Sequence, residues 1–217
     1  METDGSFATF KRSGDGWLVG TAALVSAKSP TRSGPFKQAF RNRFVLVPGT
    51  LGTAVETAGL RAKARYDAEQ FQYRGNGAVD IVDDRVATPG RLRDRGVILY
   101  GNRDTNAAWN AYLAGCPIDV RRGAVRVGDR TVRGDDLACL MVRPRRDSDT
   151  AHVAVLGCTG IPGRRLLERL PFLTSGVAYP DWVIASAKAA STGTAGVVAA
   201  GWFGNDWSLE SGEAAWR

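Results

Sequence analysis

Short apolar runs that end in glycine or in a polar turn recur along this chain. The long ones are "RFVLVPG" (43–49), "GVILYG" (96–101), "HVAVLG" (152–157) and "GVVAAGWFG" (196–204). The shorter ones are "AVDIVDD" (78–84) and "DWVIAS" (181–186). Runs of this kind are typical of strands buried on both faces, and helical patterns separate several of them. The alternation predicts an α/β domain with a three-layer, mostly parallel sheet, either Rossmann-like or flavodoxin-like.

The longest helical segment spans residues 53–73 and repeats apolar residues near one face. These residues are Leu60, Ala64, Ala68 and Phe71. Thr53 and Glu56 have the spacing of a capping box, which fixes the start of the helix. Two shorter helices are predicted at about 105–114 and 162–170, where helical patterns follow strand ends.

The composition changes near residue 41, and this divides the chain. Residues 1–40 are rich in Gly, Ser, Thr and Lys and predict an extended N-terminal arm or linker, with a short strand at "GWLVG" (16–20). Residues 41–217 are long enough for a single α/β domain with a full core. Segment 121–144 alternates around a Gly-Asp turn, which predicts a β-hairpin inserted into that domain.

Charge and hydropathy restrict the classes of partner. The formal charge is +7, but the arginines are spread along the chain and no basic motif is interleaved with aromatics. We therefore expect a solvated basic surface and no nucleic-acid partner. No stretch approaches the roughly 20 apolar residues that span a bilayer. The N-terminus lacks a signal-peptide pattern, so we expect a cytoplasmic protein, or an exported or periplasmic one if the chain is a fragment of an exported protein.

Cysteine and histidine usage restricts the chemistry. The cysteines are Cys116, Cys139 and Cys158, with no CxxC pair, so neither a disulfide framework nor a zinc site is expected. The single histidine, His152, begins its strand, and no G-x-S-x-G is present, which disfavours a His-dependent triad. Cys158 has no base nearby and is predicted to be inert. Asp80, Asp83 and Asp84 are predicted as a solvated turn, and no metal site is expected.

Polar residues follow four of the predicted strands. The segments are "PGTLGT" (48–53), "YGNRDTN" (100–106), "LGCTG" (156–160) and "GWFGNDW" (201–207). Parallel strands would gather them at one edge of the sheet, where α/β proteins bind ligands. The predicted ligand-binding residues are Thr50, Thr53, Asn102, Asn106, Thr159 and Asn205. Asp104 and Asp206 are the candidates for acid/base catalysis, and the tryptophans beside Asn205 would suit a sugar-like ligand.

A glycine pattern supports a different hypothesis. Gly157, Gly160 and Gly163 have G-x-x-G-x-x-G spacing between a strand and a helix. This resembles the pyrophosphate turn of extended short-chain dehydrogenases, in which glycine lets a phosphate approach the backbone. The next strand, "DWVIAS" (181–186), does not end in an acidic residue for a ribose, and no Tyr-x-x-x-Lys pair is present. An NAD(P)-like nucleotide site is therefore an alternative. The main expectation is that the protein has no cofactor.

An ordered set of segments resembles a known family. The segments are "RFVLVPGTLGT", "AKARYDAEQFQYRGNG", "VILYGNRDTNAAW", "RRGAVRVGDRTVRGDDLACLMVRP" and "GWFGNDWSLESGE". Together they are similar to the C-terminal domain of large exported bacterial hydrolases of the prolyl-oligopeptidase and esterase type, over about residues 30–216. The resemblance implies that the serine nucleophile belongs to a separate α/β-hydrolase domain. It assigns no catalytic residue to this sequence.

These observations lead to one main functional hypothesis and two alternatives. The main hypothesis is an accessory or derived domain of a bacterial hydrolase system that binds a polar small ligand at the strand ends. The first alternative is a stand-alone hydrolase of small esters or lactones, in which Asp104 and Asp206 activate water. The second is the nucleotide binder.

Overall fold

A computed structural model describes residues 10–19, 27–41 and 43–217. The strands are β1 (Phe10–Ser13), β2 (Gly16–Val19), β3 (Phe44–Pro48), β4 (Asp80–Ile81), β5 (Gly96–Gly101), β6 (Ile118–Arg121), β7 (Ala124–Val127), β8 (Arg130–Arg133), β9 (Leu137–Pro144), β10 (His152–Cys158), β11 (Trp182–Ser186), β12 (Val197–Trp202) and β13 (Glu213–Trp216). The helices are α1 (Ala54–Gly75), α2 (Trp109–Leu113), α3 (Ile161–Leu167) and α4 (Ala189–Thr192), with 3₁₀ turns at Phe36–Phe40 and Gly193–Gly196.

A mixed eight-stranded sheet forms the centre of the described structure, in the order β13-β12-β11-β9-β10-β5-β3-β4. Within the described residues, the pairs β10–β5, β5–β3 and β3–β4 are parallel. The other four pairs, from β13 to β10, are antiparallel. The prediction of a three-layer, mostly parallel sheet of Rossmann or flavodoxin type is therefore wrong.

Strand β9 explains the difference. Its sequence, "LACLMVRP", lies within the predicted hairpin insertion (121–144), but its first six residues are buried. It pairs with β10 on one side and β11 on the other, both antiparallel. The connection from β9 to β10 comprises only residues 145–151, and a parallel pair needs a crossover of about a dozen residues or more. The short connection therefore reverses the chain.

The remainder of the predicted insertion forms a separate three-stranded antiparallel sheet, β6-β7-β8. This small sheet contacts the large one through β6 on β10 and β7 on β9. Nearer the N-terminus, β1 and β2 form a hairpin, and β2 covers residues 16–19 of the predicted strand at 16–20. Phe36 and Ala39, inside the predicted arm 1–40, are buried in the core. Residues 1–9 and 20–26 of that arm lie outside the described residues.

Helix α1 begins as the sequence predicts. The hydroxyl of Thr53 accepts a hydrogen bond from the Glu56 amide at 3.3 Å, and Glu56 Oε2 accepts one from the Thr53 amide at 2.7 Å. This reciprocal capping box satisfies two amide groups at the start of the helix. Leu60 and Ala64 are buried, and Ala68 packs against the core. The predicted apolar face is therefore confirmed.

The buried face of α1 also carries an ion pair. Lys63 Nζ lies 2.5 Å from Asp67 Oδ1, and both side chains are at least 96% buried. The hydroxyl of Tyr100 donates to Asp67 Oδ2 at 3.0 Å. Burial raises the pKa of Asp67, against the opposing effect of the neighbouring Lys63. The hydrogen bond from Tyr100 to Asp67 links the buried face of α1 to β5.

Among the residues that the structure describes, no helix combines the length and the apolar character needed to cross a lipid bilayer.

Candidate functional site

The carboxyl ends of β3, β5 and β10 lie side by side at one edge of the sheet, which we name the carboxyl edge. In the parallel register, Leu99 lies opposite both Val47 and Val155. The three turns that follow these strands therefore meet there. The structure brings together Thr50, Thr53, Asn102, Asp104, Asn106 and Thr159.

The fourth predicted turn, residues 201–207, lies at the opposite edge, which we name the amino edge. Strand β12 is antiparallel to β11, β11 to β9, and β9 to β10. The carboxyl end of β12 therefore points away from the other three turns. The expectation that Asn205 and Asp206 share a site with Asp104 is wrong, because it depended on a parallel β12.

Two asparagines join the three neighbouring strands at the carboxyl edge. Asn106 Nδ2 donates to the carbonyl oxygens of Val47 in β3 and Tyr100 in β5, each at 3.0 Å. Asn102 Nδ2 donates to the Cys158 carbonyl oxygen in β10 at 2.8 Å. Both asparagine side chains are buried, so these bonds satisfy carbonyl groups at the strand ends that water does not reach. Their geometry is that of structural cross-links.

Asp84 also belongs to this network, so the prediction that it lies in a solvated turn is wrong. It is 3% exposed, and its carboxylate accepts three hydrogen bonds. The donors are the amide and hydroxyl of Thr50, at 3.0 and 2.6 Å, and the amide of Ala107, at 2.6 Å. The carboxylate therefore fixes the turn after β3 to the turn after β5. Its position three residues after the short strand β4 is the one sequence signal for this role.

An ionic cluster closes the outer side of the carboxyl edge. Arg122, in the turn between β6 and β7, donates from Nε and Nη2 to the two oxygens of Glu56, at 3.0 and 2.9 Å. Asp104 accepts from Arg121 Nη1 at 3.1 Å and from the Arg122 amide at 3.0 Å. The hydrogen bonds from Arg122 lower the pKa of Glu56 to about 2. The cluster attaches the small sheet to the start of α1.

The space left inside this edge is small. Thr159 accepts from the Leu137 amide at 3.0 Å and is buried. A cleft between Asn102, Cys158 and Arg164 has a volume of about 10 Å³. That volume holds about one water molecule. Ligand binding by the carboxyl-edge residues stays a prediction, and the geometry gives it little room.

The glycines of the proposed nucleotide turn contact the protein's own backbone. A Cβ atom at Gly163 would lie 2.1 Å from the Leu137 carbonyl oxygen, and one at Gly160 would lie 2.6 Å from the Asp135 carbonyl oxygen. At Gly157, a Cβ atom would lie 3.1 Å from a β9 carbonyl oxygen. The start of β9 therefore occupies the space that a pyrophosphate would need. This packing is a sufficient reason for the glycine pattern.

The amino edge holds the residues of the fourth turn. The hydrogen bonds from Ser211 Oγ at 2.5 Å and the Ser208 amide at 2.9 Å lower the pKa of Asp206 to about 2. Trp207 is 2% exposed and has a φ of 62°, a conformation unusual for a bulky residue. Its burial leaves no open ring face for a sugar. The Asn205 carbonyl oxygen accepts from the Lys28 amide at 2.7 Å, so the turn also holds the preceding N-terminal segment.

Burial shifts the pKa values of the histidine and of two cysteines away from the range in which they could act as a base or as nucleophiles. Burial lowers the pKa of His152 to about 4, which keeps the imidazole neutral near pH 7, and its ring lies 6.2 Å from that of Trp207 at the amino edge. Burial raises the pKa of Cys158 to about 12 and that of Cys139 still further. Both thiols therefore stay protonated near neutral pH. No group of three or more His, Cys, Asp or Glu side chains in the described residues is arranged to hold a metal ion.

No protein-family model matches the sequence, and no curated protein matches it.

Proposed function

We propose that this chain is an accessory domain of a bacterial hydrolase system and that it performs no catalysis of its own. One observation carries the proposal: the polar side chains predicted to be functional at the carboxyl edge are bonded to one another and to the backbone. Asn102 and Asn106 join strand ends, and Asp104 holds the turn between β6 and β7. The family resemblance supplies the hydrolase context.

The stand-alone hydrolase has less support. Its two candidate carboxylates, Asp104 and Asp206, lie at opposite edges of the sheet and cannot act on one substrate together. Asp104 is paired with Arg121, and Asp206 is bonded to two serines. A general base must reach its proton at hydrogen-bond distance, usually with a pKa near the working pH. The low pKa of Asp206 makes it a weak base near pH 7.

A screen of the purified chain tests the absence of catalysis. We expect no turnover of p-nitrophenyl esters or of short lactones above the buffer rate, for the protein and for Asp104→Ala and Asp206→Ala alike. Turnover that either substitution abolishes would overturn the proposal in favour of the stand-alone hydrolase. A thermal-shift titration with NAD(P) and FMN accompanies the screen, and a saturable shift at up to about 1 mM would favour the nucleotide binder.

The accessory role has its own test. We expect the reading frame of this chain to contain, or to lie beside, a serine hydrolase of the prolyl-oligopeptidase or esterase type. Co-expression of the two should give a single species by size-exclusion chromatography. A genome that lacks such a hydrolase nearby, or separate elution of the two proteins, would contradict this assignment.

A further inference from the structure

A groove at the amino edge is lined by aromatic and basic side chains that take no part in the hydrogen-bond networks described above. It lies between the 3₁₀ turn Phe36–Phe40, the end of α1 and residues 170–175, and its volume is about 310 Å³. We name it the aromatic groove. Its apolar floor is Phe40, Phe71 and Phe172, and its rim is Lys37, Arg41 and Arg74. Small-molecule sites in proteins start at about this volume and have this mixture of an apolar lining with a few polar groups.

The floor of the groove is a fixed aromatic surface. The ring of Phe40 stacks on Phe172 with centroids 5.3 Å apart and an interplanar angle of 24°. The ring of Phe44 contacts both Phe40 and Phe71, with ring centroids 5.1 Å and 4.9 Å apart. It thereby connects the 3₁₀ turn to the end of α1. A Cβ atom at Gly77 would lie 2.5 Å from the Phe71 ring, so this ring is confined from behind as well. The rings are therefore in place before any ligand arrives.

The rim is positive and unneutralised. Lys37 Nζ donates to the Thr174 carbonyl oxygen at 2.6 Å, which ties the two walls together. In the described part of the chain, the guanidinium groups of Arg41 and Arg74 each donate to a neutral glutamine side chain, at 3.0 Å. Among the described residues, none of the three cations lies within ion-pair distance of a carboxylate, and no Asp or Glu lines the groove.

We propose that the aromatic groove binds a small amphipathic anion, with a carboxylate at the arginines of the rim and an apolar body on the phenylalanines. Guanidinium groups suit a carboxylate because they offer paired donors, and aromatic rings suit an aryl or short alkyl body. The groove is bounded by three elements and has the volume of one compact ligand, which favours a small molecule over a peptide. This site is independent of the accessory role proposed above.

Titration calorimetry with 4-phenylbutyrate tests the proposal. We expect saturable binding with a stoichiometry of one, and binding of the neutral analogue 4-phenylbutyramide weaker by about tenfold or more, since the amide loses the charge attraction. The double variant Arg41→Glu/Arg74→Glu should also lose about tenfold or more in affinity. Both arginines are exposed, so the fold should survive, and an unchanged circular dichroism spectrum and melting temperature check this.

Arg65→Glu is the matched control, because Arg65 is exposed on α1 outside the groove and its reversal changes the net charge in the same sense. It should bind 4-phenylbutyrate with the affinity of the unmodified protein. Absence of saturable binding at up to about 10 mM ligand would overturn the proposal. Equal affinities for acid and amide, or equal losses in the double variant and the control, would overturn it as well.

Discussion

Replacing Gly163 with alanine tests whether the glycines of α3 serve packing. The added Cβ atom would lie 2.1 Å from the Leu137 carbonyl oxygen and 2.8 Å from its carbonyl carbon. Both are backbone atoms, so α3 and the start of β9 must separate to relieve the contact. Overpacking costs about 1–3 kcal/mol, and the separation weakens a hydrogen bond worth about 1 kcal/mol. That bond runs from the Gly163 amide to the Asp135 carbonyl oxygen at 3.3 Å.

We therefore expect the free energy of unfolding of Gly163→Ala to fall by about 3 kcal/mol, measured by urea denaturation. The melting temperature should fall by about 6–12 °C for a chain of this size. Gly90→Ala is the control, because a Cβ atom there meets nothing within 4 Å. The control should be neutral, or more stable by about 0.4–1 kcal/mol. If Gly163→Ala matches the control, the close passage of β9 over α3 is refuted.

Three further changes test other parts of the structure. Asp84→Ala removes a buried acceptor from three part-buried donors, so the free energy of unfolding by urea should fall by about 1–3 kcal/mol; a loss below about 0.5 kcal/mol would contradict the network. The native state binds fewer protons than the unfolded state between the ordinary pKa of His152, 6.5, and its native value of about 4, so stability falls as the pH falls through that window. His152→Gln should flatten this part of the pH profile, and an unchanged slope would argue against a buried neutral imidazole. A thiol reagent at about pH 8 should modify Cys139 and Cys158 only after denaturation, and rapid labelling of the native protein would show that their burial is wrong.

The sequence identified most elements of the large sheet because their signals are local. Apolar runs of five or more residues specify β3, β5 and β10 whatever lies beside them. The capping box at Thr53 and Glu56 is likewise local, since both partners lie within four residues. Local patterns of this kind determine where a strand or helix begins.

Strand direction and neighbours are not local properties. The run "LACLMV" in β9 reads as an apolar segment, but its place between β10 and β11 depends on the short connection 145–151. Once β9 reverses the chain, β12 points to the amino edge and carries Asp206 with it. The error in the candidate site therefore followed from one strand direction.

Buried charge was the other feature that sequence patterns missed. Lys63 and Asp67 lie on the buried face of α1, where periodicity favours apolar residues. Asp84 lies among aspartates that are otherwise exposed. A charged residue is buried when a specific partner is present, and those partners come from distant parts of the chain.

The arrangement of the large sheet also has a consequence for how the protein folds. Strands β3 to β5 and strands β9 to β13 are each contiguous in sequence, and in the described sheet they join along β5 and β10. Pairing Val153 with Val97 spans 56 residues and pairing Val45 with Val97 spans 52, whereas pairing Arg143 with Val153 spans only 10. We expect strands β9 to β13 to form early and the pairing of β5 with β3 and with β10 to limit the folding rate. Amide hydrogens along this junction should then exchange only through global unfolding.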